Sequence, residues 1–442
     1  MMKFETLPGF RTFYPEHCAV RNYLFNQWRT VAQLFNFQEY DAPTLEPLEL
    51  YVEKSGDEIV SQLFNFTDRG EREVALRPEM TPSLARLVGS KANSLKRPIK
   101  WFSIGEQFRY ERPQKGRLRS FYQFNVDILG EPGVGADAEL IACLIESLRL
   151  FGLESNDFKI RLSDRKLWVF FLQSWGIAEA ELPSVLSVMD RIEKMDESAV
   201  FDQLKPYFSD DAHAFLESVK SFLEISSYQQ LEPFFSQLKG SVSHISGINE
   251  RISELGSLNS LIADMGLSDY VVIDFKVVRG LAYYTGFVFE AFEFSGKGRA
   301  LAGGGRYDDL IDRLTGNAME AVGFAMGDVT LLDLLESKGK VPTLHQAPTV
   351  ALIFSDDEAI PLALKDGQIL RRSGYTVEYP LRKIGFSKQF KEVNQKGIPY
   401  AFIYGSDELK ENKVKLKNFK TGEESLIVRE ELMMIEALRT DS

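Results

Sequence analysis

Short strand-like runs alternate with charged turns between about residues 70 and 130, and this pattern restricts the possible folds more than any other feature. The runs cover residues 73–78, 101–105 and 121–128. Parallel strands need a long crossover connection, usually a helix, whereas antiparallel strands can follow each other through short turns. The spacing therefore predicts an antiparallel sheet rather than a series of βαβ units.

Helical periodicity flanks this sheet on both sides. Apolar residues recur at helical spacing over 15–37, before a strand near Pro43, and again over 137–148. Residues from about 166 to 265 are helical, polar and loosely periodic, with interrupting prolines, before a strand-like run starts at 270. This stretch is interpreted as a helical insertion within one domain.

A segment rich in Pro and Thr at 342–349 introduces a different pattern. Three strand-like runs, at 350–354, 375–379 and 400–404, alternate with helical segments, which is typical of a small α/β domain. A chain of 442 residues also exceeds what one hydrophobic core usually serves. We therefore predict a first domain over 1–345 and a second over 346–442.

Cysteine usage and hydropathy indicate the compartment. Only Cys18 and Cys143 occur, too far apart for a disulfide framework or for metal-ligand spacing. The chain does not start with a basic segment and an apolar run, and no stretch approaches the roughly 20 apolar residues of a membrane span. We expect a cytoplasmic protein that has no membrane partner.

The charge distribution matters more than the total charge. A net charge of −12 argues against a nucleic-acid partner, because phosphate binding needs clustered Lys and Arg. Residues 351–442 carry 15 Lys and Arg against 15 Asp and Glu, however, so the negative charge lies in the first 350 residues. The Lys run at 410, 413, 415, 417 and 420 is interpreted as a solvated edge strand, where Lys limits aggregation.

Two charged clusters are candidates for ligand binding. Segment 105–124 places arginines and Lys115 among aromatic residues, which suits an anionic ligand that stacks, although a solvated hairpin tip fits the sequence equally well. In segment 76–82, Glu79 either binds an ammonium group or caps a helix starting near Thr81. Spacing alone favours the cap.

Two glycine-containing segments complete the candidate set. Gly280 in the strand-rich run 277–290 marks a bulge or a close ligand approach, with the bulge favoured. The three glycines in 301–310 fit either a ligand approach or a tight turn. Neither segment has a Rossmann or P-loop signature. The four histidines lie beside no Ser or Cys motif, so we expect no catalytic triad and no metal site built from side chains.

Together and in this order, the four clusters resemble those of the histidyl-tRNA synthetases, a family of class II aminoacyl-tRNA synthetases, over nearly the whole chain. Region 15–43 resembles motif 1, 105–130 motif 2, 279–284 and 302–308 the two family signatures, and 323–327 the start of motif 3. The resemblance implies an α+β fold with a six-stranded antiparallel catalytic sheet, a helical insertion, a C-terminal α/β anticodon-binding domain and a homodimer. It also implies ATP-dependent activation of L-histidine and its transfer to the 3′ end of histidine tRNA, with ATP and Mg²⁺.

The resemblance also implies residue roles. Histidine would be bound by Glu79, Met80, Thr81, Gln123, Asp127, Tyr283 and Tyr284, with Asp127 standing where bacterial relatives usually have the Glu that contacts the imidazole. ATP would be bound by Arg109, Glu111, Phe121 and Arg279; Arg109 and Arg279 are the catalytic contacts to the α-phosphate, and Phe121 stacks on adenine. The acceptor end of tRNA would meet Gln114, Lys115, Arg117 and Arg119. The substrate carboxylate is already a nucleophile, so two arginines suffice for electrostatic stabilisation.

The chain departs from the family pattern at two places. Val329 and Thr330 stand where motif 3 has Glu and Arg, and that Arg normally covers the second face of adenine, so Arg306 or another basic residue would have to replace it. Ala282 stands where Asp is usual, which removes a buried hydrogen-bond partner.

Two alternative functions therefore stay open at this point. One is the synthetase-like regulatory subunit of ATP phosphoribosyltransferase, which shares the core but usually lacks the anticodon domain. The other is a module that senses tRNA or histidine without catalysis. Residues 346–442 and the retained Glu79, Arg109, Gln123 and Arg279 favour the synthetase.

Overall fold

The computed structural model describes residues 5–55, 57–114, 116–192, 195–208, 212–238, 245–278, 283–294, 299–344 and 348–434. The chain forms two compact units, Met1–Pro342 and Thr343–Ser442. Each unit has its own sheet and its own hydrophobic core.

An eight-stranded sheet organises the first unit, with strand order β1-β5-β6-β11-β10-β9-β7-β8. A smaller three-stranded antiparallel sheet has the order β2-β4-β3, and its strands lie between β1 and β5 in the sequence. The strands are β1 (Gln38–Glu39), β2 (Leu45–Pro47), β3 (Asn65–Thr67), β4 (Glu73–Leu76), β5 (Ile99–Phe108), β6 (Ser120–Leu129), β7 (Phe158–Asp164), β8 (Val271–Ile273), β9 (Phe287–Glu293), β10 (Ala302–Arg306) and β11 (Ala321–Gly327).

The expected six-stranded antiparallel sheet is wrong in strand number and in strand direction. Six strands, β5 to β7 in the sheet order, do pair antiparallel, but β1 adds to β5 and β8 adds to β7 as parallel strands at the two edges. These edge strands are two and three residues long. They are too short to produce the period-two alternation by which strands are recognised in a sequence.

Helices α1 (Pro15–Leu34) and α4 (Val134–Arg149) cover one face of this sheet. α1 buries Leu24, Trp28, Val31 and Ala32, which recur at helical spacing, and the Trp28 ring stacks on Phe124 of β6 with ring centroids 5.6 Å apart. Among the described residues of the first unit, the other helices outside the insertion are α2 (Glu49–Ser55), α3 (Thr81–Gly89), α11 (Leu310–Thr315) and α12 (Asp328–Ser337).

In the described part of the chain between β7 and β8 there are six helices: α5 (Arg165–Ser174), α6 (Leu182–Met189), α7 (Glu197–Leu204), α8 (Ala212–Leu223), α9 (Leu231–Gln237) and α10 (Ile245–Asp264). Aromatic rings hold them together, for example Phe171 stacked on Phe222 at 4.9 Å. The indole nitrogen of Trp168 donates a hydrogen bond of 3.0 Å to the carbonyl of Phe275, next to β8. The helices therefore share one core with the sheet.

The second unit contains a five-stranded mixed sheet with the order β13-β12-β14-β15-β16. In β12, which pairs with a strand on each side, Leu352 and Ile353 belong to the hydrophobic clusters on opposite faces, as expected for a strand covered on both faces. The elements are β12 (Val350–Phe354), α13 (Ile360–Arg372), β13 (Val377–Glu378), α14 (Phe386–Gln395), β14 (Tyr400–Tyr404), α15 (Ser406–Lys410), β15 (Lys413–Asn418) and β16 (Glu424–Val428).

Short 3₁₀ helices complete the two units at Asp57–Gln62, Glu179–Glu181, Lys205–Tyr207, Tyr228–Gln230, Ser268–Tyr270 and Arg429–Met434. In the described ranges, no helix is both long enough and apolar enough to cross a membrane.

The lysine run does not lie on an edge strand, contrary to the sequence interpretation. Strand β15 lies between β14 and β16, and Lys415 and Lys417 form ion pairs with Glu424 of β16 at 3.6 and 2.7 Å. Strand β16 follows β15 through a short turn and pairs with it along the edge that the lysines were expected to occupy.

Candidate active site

A cavity of about 1060 Å³ lies against the face of the eight-stranded sheet opposite α1 and α4. Successive side chains of a strand point to opposite faces, so β6 contributes every second residue to the cavity. Its cavity-lining residues are Phe121, Gln123, Asn125 and Asp127. Phe124, Val126 and Ile128 point into the core instead. The same alternation brings Arg161 of β7 and Glu290 of β9 to the cavity.

Asp127 is the buried carboxylate of this cavity. It is 5% exposed, and its Oδ1 accepts a hydrogen bond of 2.5 Å from the hydroxyl of Tyr307. Burial, and then the negative charge of Asp127, raise the pKa of Tyr307 well above its ordinary value. The phenol therefore stays protonated at neutral pH and remains a donor to the carboxylate.

Gly323 makes room for Asp127. The two residues pair in the β6–β11 register, and a Cβ at position 323 would lie 1.9 Å from Oδ1 of Asp127. No side chain fits there without moving the carboxylate. Gly304 and Gly305 are also required by packing, because a Cβ would lie 2.3 Å from the Gly323 carbonyl or 2.6 Å from the Phe287 carbonyl. Gly304 and Gly305 therefore belong to strand β10 and not to a tight turn.

Two buried polar atoms on β6 have no hydrogen-bond partner within the described ranges. They are Oε1 of Gln123 and Nδ2 of Asn125, and both residues line the cavity. Leaving such a group unsatisfied costs about 1–3 kcal/mol. An acceptor and a donor on the floor of a polar cavity fit a ligand that carries both kinds of group.

Tyr283 and Tyr284 close one side of the cavity. Their side chains are 7% and 6% exposed, their ring centroids are 4.6 Å apart, and both line the cavity. Tyr283 also contacts Tyr307 edge-on at 6.0 Å. An aromatic wall therefore stands beside the Asp127 carboxylate.

Segment 79–81 reaches the cavity just before α3. Glu79 and Thr81 line it, whereas Met80 is fully buried, is not part of the lining and packs its sulfur 3.7 Å from Nη1 of Arg77. Met80 occupies the N-cap position of α3, and its side chain makes no capping hydrogen bond. The N-cap residue of α3 is therefore Met80 and not Glu79, and the buried side chain of Met80 lies outside the cavity lining.

Arg109 and Phe121 lie together at the end of the β5–β6 hairpin. The guanidinium carbon of Arg109 is 5.1 Å from the centroid of the Phe121 ring, and Nε of Arg109 donates to the carbonyl of Pro78 at 3.0 Å. Both residues line the cavity. The two residues that the resemblance assigns to the nucleotide therefore lie beside each other at the cavity.

The loop between β5 and β6 directs its charged residues in different directions. Arg117 lines the cavity and donates to Glu111 at 2.8 Å, and Gln114 pairs with Arg117 across the loop through its backbone. Arg119 instead stacks on Tyr110 at 4.4 Å and donates to the carbonyl of Glu111. Neither Arg119 nor Gln114 lines the cavity.

Arg306 does not replace the arginine missing from motif 3. Its side chain is buried and its Nε and Nη2 bind the fully buried carboxylate of Asp137, with the shortest contact at 2.5 Å. Burial raises the pKa of Asp137 in spite of the opposing effect of Arg306. Val329 and Thr330 themselves line the cavity at the start of α12.

Several expectations fall outside the described residues, and several lining residues were not anticipated. Arg279, Ala282 and Lys115 lie outside the described ranges. The unanticipated residues that line the cavity include Gln62, Asn125, Arg161, Asp190, Lys276, Glu290, Arg299 and Tyr307. The strand period would have indicated Asn125, which stands between two predicted site residues on the same face.

Across the described parts of the chain, no group of three or more His, Cys, Asp or Glu side chains is arranged to hold a metal ion. Carboxylates nevertheless line the cavity at Glu79, Glu111, Asp127, Asp190 and Glu290. Such a donor set fits a Mg²⁺ ion that enters with a nucleotide, because Mg²⁺ usually keeps several waters and takes only one or two carboxylates beside substrate phosphates.

Comparison with known proteins agrees with this geometry. The chain matches the family described as histidyl-tRNA synthetase over residues 9–331 and the anticodon-binding domain over residues 349–436. The histidine–tRNA ligase of Opitutus terrae is 50% identical over 435 residues, which is 98% of each chain. The chloroplastic and mitochondrial histidine–tRNA ligase of Arabidopsis thaliana is 38% identical, covering 94% of this chain and 83% of the relative.

A solved structure supports the same grouping. The crystal structure of histidyl-tRNA synthetase from Nostoc sp. PCC 7120 matches with a TM-score of 0.80 and 26% identity, over 99% of both chains. The family recognised from the sequence motifs and the α+β class II fold with its C-terminal anticodon-binding domain are thereby confirmed.

Proposed function

The chain belongs to the histidyl-tRNA synthetase family and charges tRNA with histidine, and from this premise we propose how its cavity carries out the reaction. In the first step a carboxylate oxygen of histidine attacks the α-phosphorus of ATP, and the bond to the bridging oxygen of pyrophosphate breaks. In the second step the terminal ribose hydroxyl of tRNA attacks the histidyl carbonyl, and AMP leaves.

Asp127 recognises the imidazole ring of histidine. The observation that carries this assignment is a buried carboxylate at the bottom of the cavity, held by Tyr307 and flanked by Tyr283. A carboxylate offers about four acceptor positions, so it accepts an imidazole N–H in addition to the Tyr307 hydroxyl. Tyr307 and Gly323 fix the position of this Asp carboxylate, which stands where the family resemblance gives a Glu for bacterial relatives.

The α-amino group of histidine lies near Glu79, Thr81 and Gln123. The orphan acceptor Oε1 of Gln123 supports this placement, because an ammonium group supplies the missing donor. Tyr283 and Tyr284 enclose the ring from the side. The buried side chain of Met80 anchors the segment that carries Glu79 and Thr81, and it does not contact the ligand.

ATP occupies the part of the cavity near Arg109 and Phe121. The guanidinium of Arg109 neutralises the charge that grows on the nonbridging α-phosphate oxygens, and adenine stacks on Phe121. Glu111 orients Arg117 at the polyphosphate end of the nucleotide. Arg279 is proposed as the second arginine on the α-phosphate by its motif position, and Mg²⁺ supplies charge neutralisation on the phosphates.

The acceptor end of tRNA meets the β5–β6 loop through Gln114, Lys115 and Arg117. The second unit binds the anticodon region of tRNA, as its match to the anticodon-binding domain supports. Arg119 holds the loop against Tyr110 and is assigned to loop support instead of tRNA contact. We further propose that the chain works in the cytoplasm as a homodimer formed through the motif 1 region.

Histidine-dependent exchange of pyrophosphate into ATP by the purified full chain tests this mechanism. We expect exchange with L-histidine and none with other amino acids, followed by charging of histidine tRNA. Folded protein that binds histidine without exchange would instead match the regulatory-subunit or sensor alternative. The 50% identity with a histidine–tRNA ligase over 98% of the chain does not favour that alternative.

The two arginines of the loop base provide a matched pair of variants. Arg109→Ala should lower the exchange rate by about 10²–10³-fold, as the loss of one transition-state donor does elsewhere. Arg119→Ala removes the same side chain outside the cavity and should lower the rate by less than about tenfold. Equal losses in both variants would contradict the assignment of Arg109 to the α-phosphate.

A further inference from the structure

One face of the adenine site lacks its usual cover in this chain. Thr330 has a short neutral side chain at the motif 3 position. Arg306, the basic residue of the signature at 302–308, is bound to the buried carboxylate of Asp137. Val329 and Thr330 line the same cavity as Phe121, and their side chains are shorter than the Glu and Arg usual in motif 3, which leaves space at that position. A cationic group from another part of the chain can therefore enter there.

Arg299 reaches this space from the connection between β9 and β10. Its side chain is exposed and lines the cavity, and its Nη1 donates to the carbonyl of Gly116 in the β5–β6 loop at 3.3 Å. A Cβ placed on Gly116 would lie 3.3 Å from Cδ of Arg299 and 3.7 Å from Cγ2 of Thr330. The side chains of Arg299 and Thr330 thus approach the same backbone point of the loop.

The charge around Arg299 favours an electron-rich ligand. Partial burial, followed by the positive charges of Arg299 and Arg109, lowers the pKa of Arg117. The three guanidinium groups therefore converge on one region of the cavity. Arg117 has Glu111 as its partner, whereas no carboxylate in the described ranges forms an ion pair with Arg299. Its guanidinium is thus available to a ligand.

We propose that Arg299 supplies the guanidinium that position 330 lacks and covers the face of adenine opposite Phe121. The planar guanidinium of arginine stacks on π systems, so it can replace the motif 3 arginine from a different element of the fold. The threonine at 330 leaves room for the longer side chain. This inference rests on the proposed ATP site and adds the residue that completes it.

Exchange kinetics of the Arg299→Ala full chain test the inference. We expect the KM for ATP to rise about tenfold, with kcat and the KM for histidine nearly unchanged, because a cation–π contact contributes to binding and not to the chemical step. Inhibition by adenosine, which has no phosphate, should weaken by a similar factor. Arg69→Ala, at an exposed arginine outside the cavity lining, is the control and should change neither value.

Two further variants separate stacking from charge. Thr330→Arg combined with Arg299→Ala should restore the KM for ATP, because it returns the guanidinium to the motif 3 position. Arg299→Lys keeps the charge without the planar group and should bind ATP and adenosine nearly as weakly as Arg299→Ala.

Each contrary result has its own meaning. A KM for ATP that rises while adenosine inhibition is unchanged would assign Arg299 to the phosphates and overturn the stacking proposal. Unchanged values for both ligands would show that Arg299 does not contact the nucleotide. Absence of histidine-dependent exchange in the unmodified chain would instead refute the proposed mechanism as a whole.

Discussion

The hydroxyl of Tyr307 donates a hydrogen bond of 2.5 Å to Oδ1 of Asp127 inside the cavity that both residues line. Asp127 lies on β6 and Tyr307 directly follows β10, and the two strands are separated by β11. The hydrogen bond crosses the intervening strand at Gly323, whose missing Cβ leaves the space for it. Three residues from different motifs therefore define the position of one carboxylate.

Tyr307→Phe should weaken histidine activation without unfolding the protein. The variant removes the donor that orients Asp127, and a hydrogen bond to a charged group contributes about 1.5–3 kcal/mol. We expect kcat/KM for histidine to fall by about 10–100-fold at saturating ATP, measured by pyrophosphate exchange. Tyr14→Phe, at a side chain that is 62% exposed, is the matched control and should be silent.

Gly323→Ala should move the Asp127 carboxylate. The new methyl group would overlap Oδ1, since the ideal Cβ lies 1.9 Å from it, so the side chain must leave its place. We expect a loss of about 100-fold in histidine kcat/KM and a stability loss of about 1–3 kcal/mol from overpacking. The control is Gly135→Ala in α4, where a Cβ has no neighbour within 4 Å. Comparable activity of the two variants would argue against a fixed carboxylate.

Periodicity predicted the parts of the site that lie on long elements. The antiparallel β5–β6 hairpin and the cavity face of β6 follow directly from alternation, which places Gln123 and Asp127 together. The pairing of the edge strands β1 and β8 was not predicted, because two or three residues are too few to show the alternation of apolar and polar side chains typical of a strand. The run from 270 likewise forms a strand only over Val271–Ile273 and then turns towards the cavity.

Long-range pairing accounts for the other differences. Arg306 is part of the signature at 302–308, but whether its side chain can bind a ligand depends on Asp137, which is 169 positions away in the sequence. The direction of Arg119 likewise depends on contacts with Tyr110 and with the backbone of Gly9. No local pattern contains this information, because it arises only when distant strands and helices pack.

Arg306→Met should destabilise the first unit in a pH-dependent way. Removing one partner of a buried ion pair leaves Asp137 uncompensated, which costs about 3–5 kcal/mol when the carboxylate is ionised. The folded-state pKa of Asp137 is already raised by burial and rises further without Arg306. The penalty is therefore full at a pH above the folded pKa and decreases as the pH falls towards the unfolded value.

Urea unfolding at pH 8 and pH 5 measures this effect. We expect the difference between the variant and the unmodified chain to be smaller at pH 5. The double variant Arg306→Met with Asp137→Leu should recover much of the stability, because apolar groups replace both charges. A difference that is equal at both pH values, with no recovery in the double variant, would assign the loss to packing alone.

Asp127→Asn tests the central claim most directly, because it preserves the shape of the side chain and removes its charge. The decisive measurement is kcat/KM for histidine in pyrophosphate exchange at saturating ATP, together with the KM for ATP at saturating histidine. If Asp127 binds the imidazole, kcat/KM for histidine falls by about 100-fold or more, which corresponds to about 3 kcal/mol, while the KM for ATP stays within about twofold. An unchanged kcat/KM for histidine in a folded Asp127→Asn protein would contradict the account.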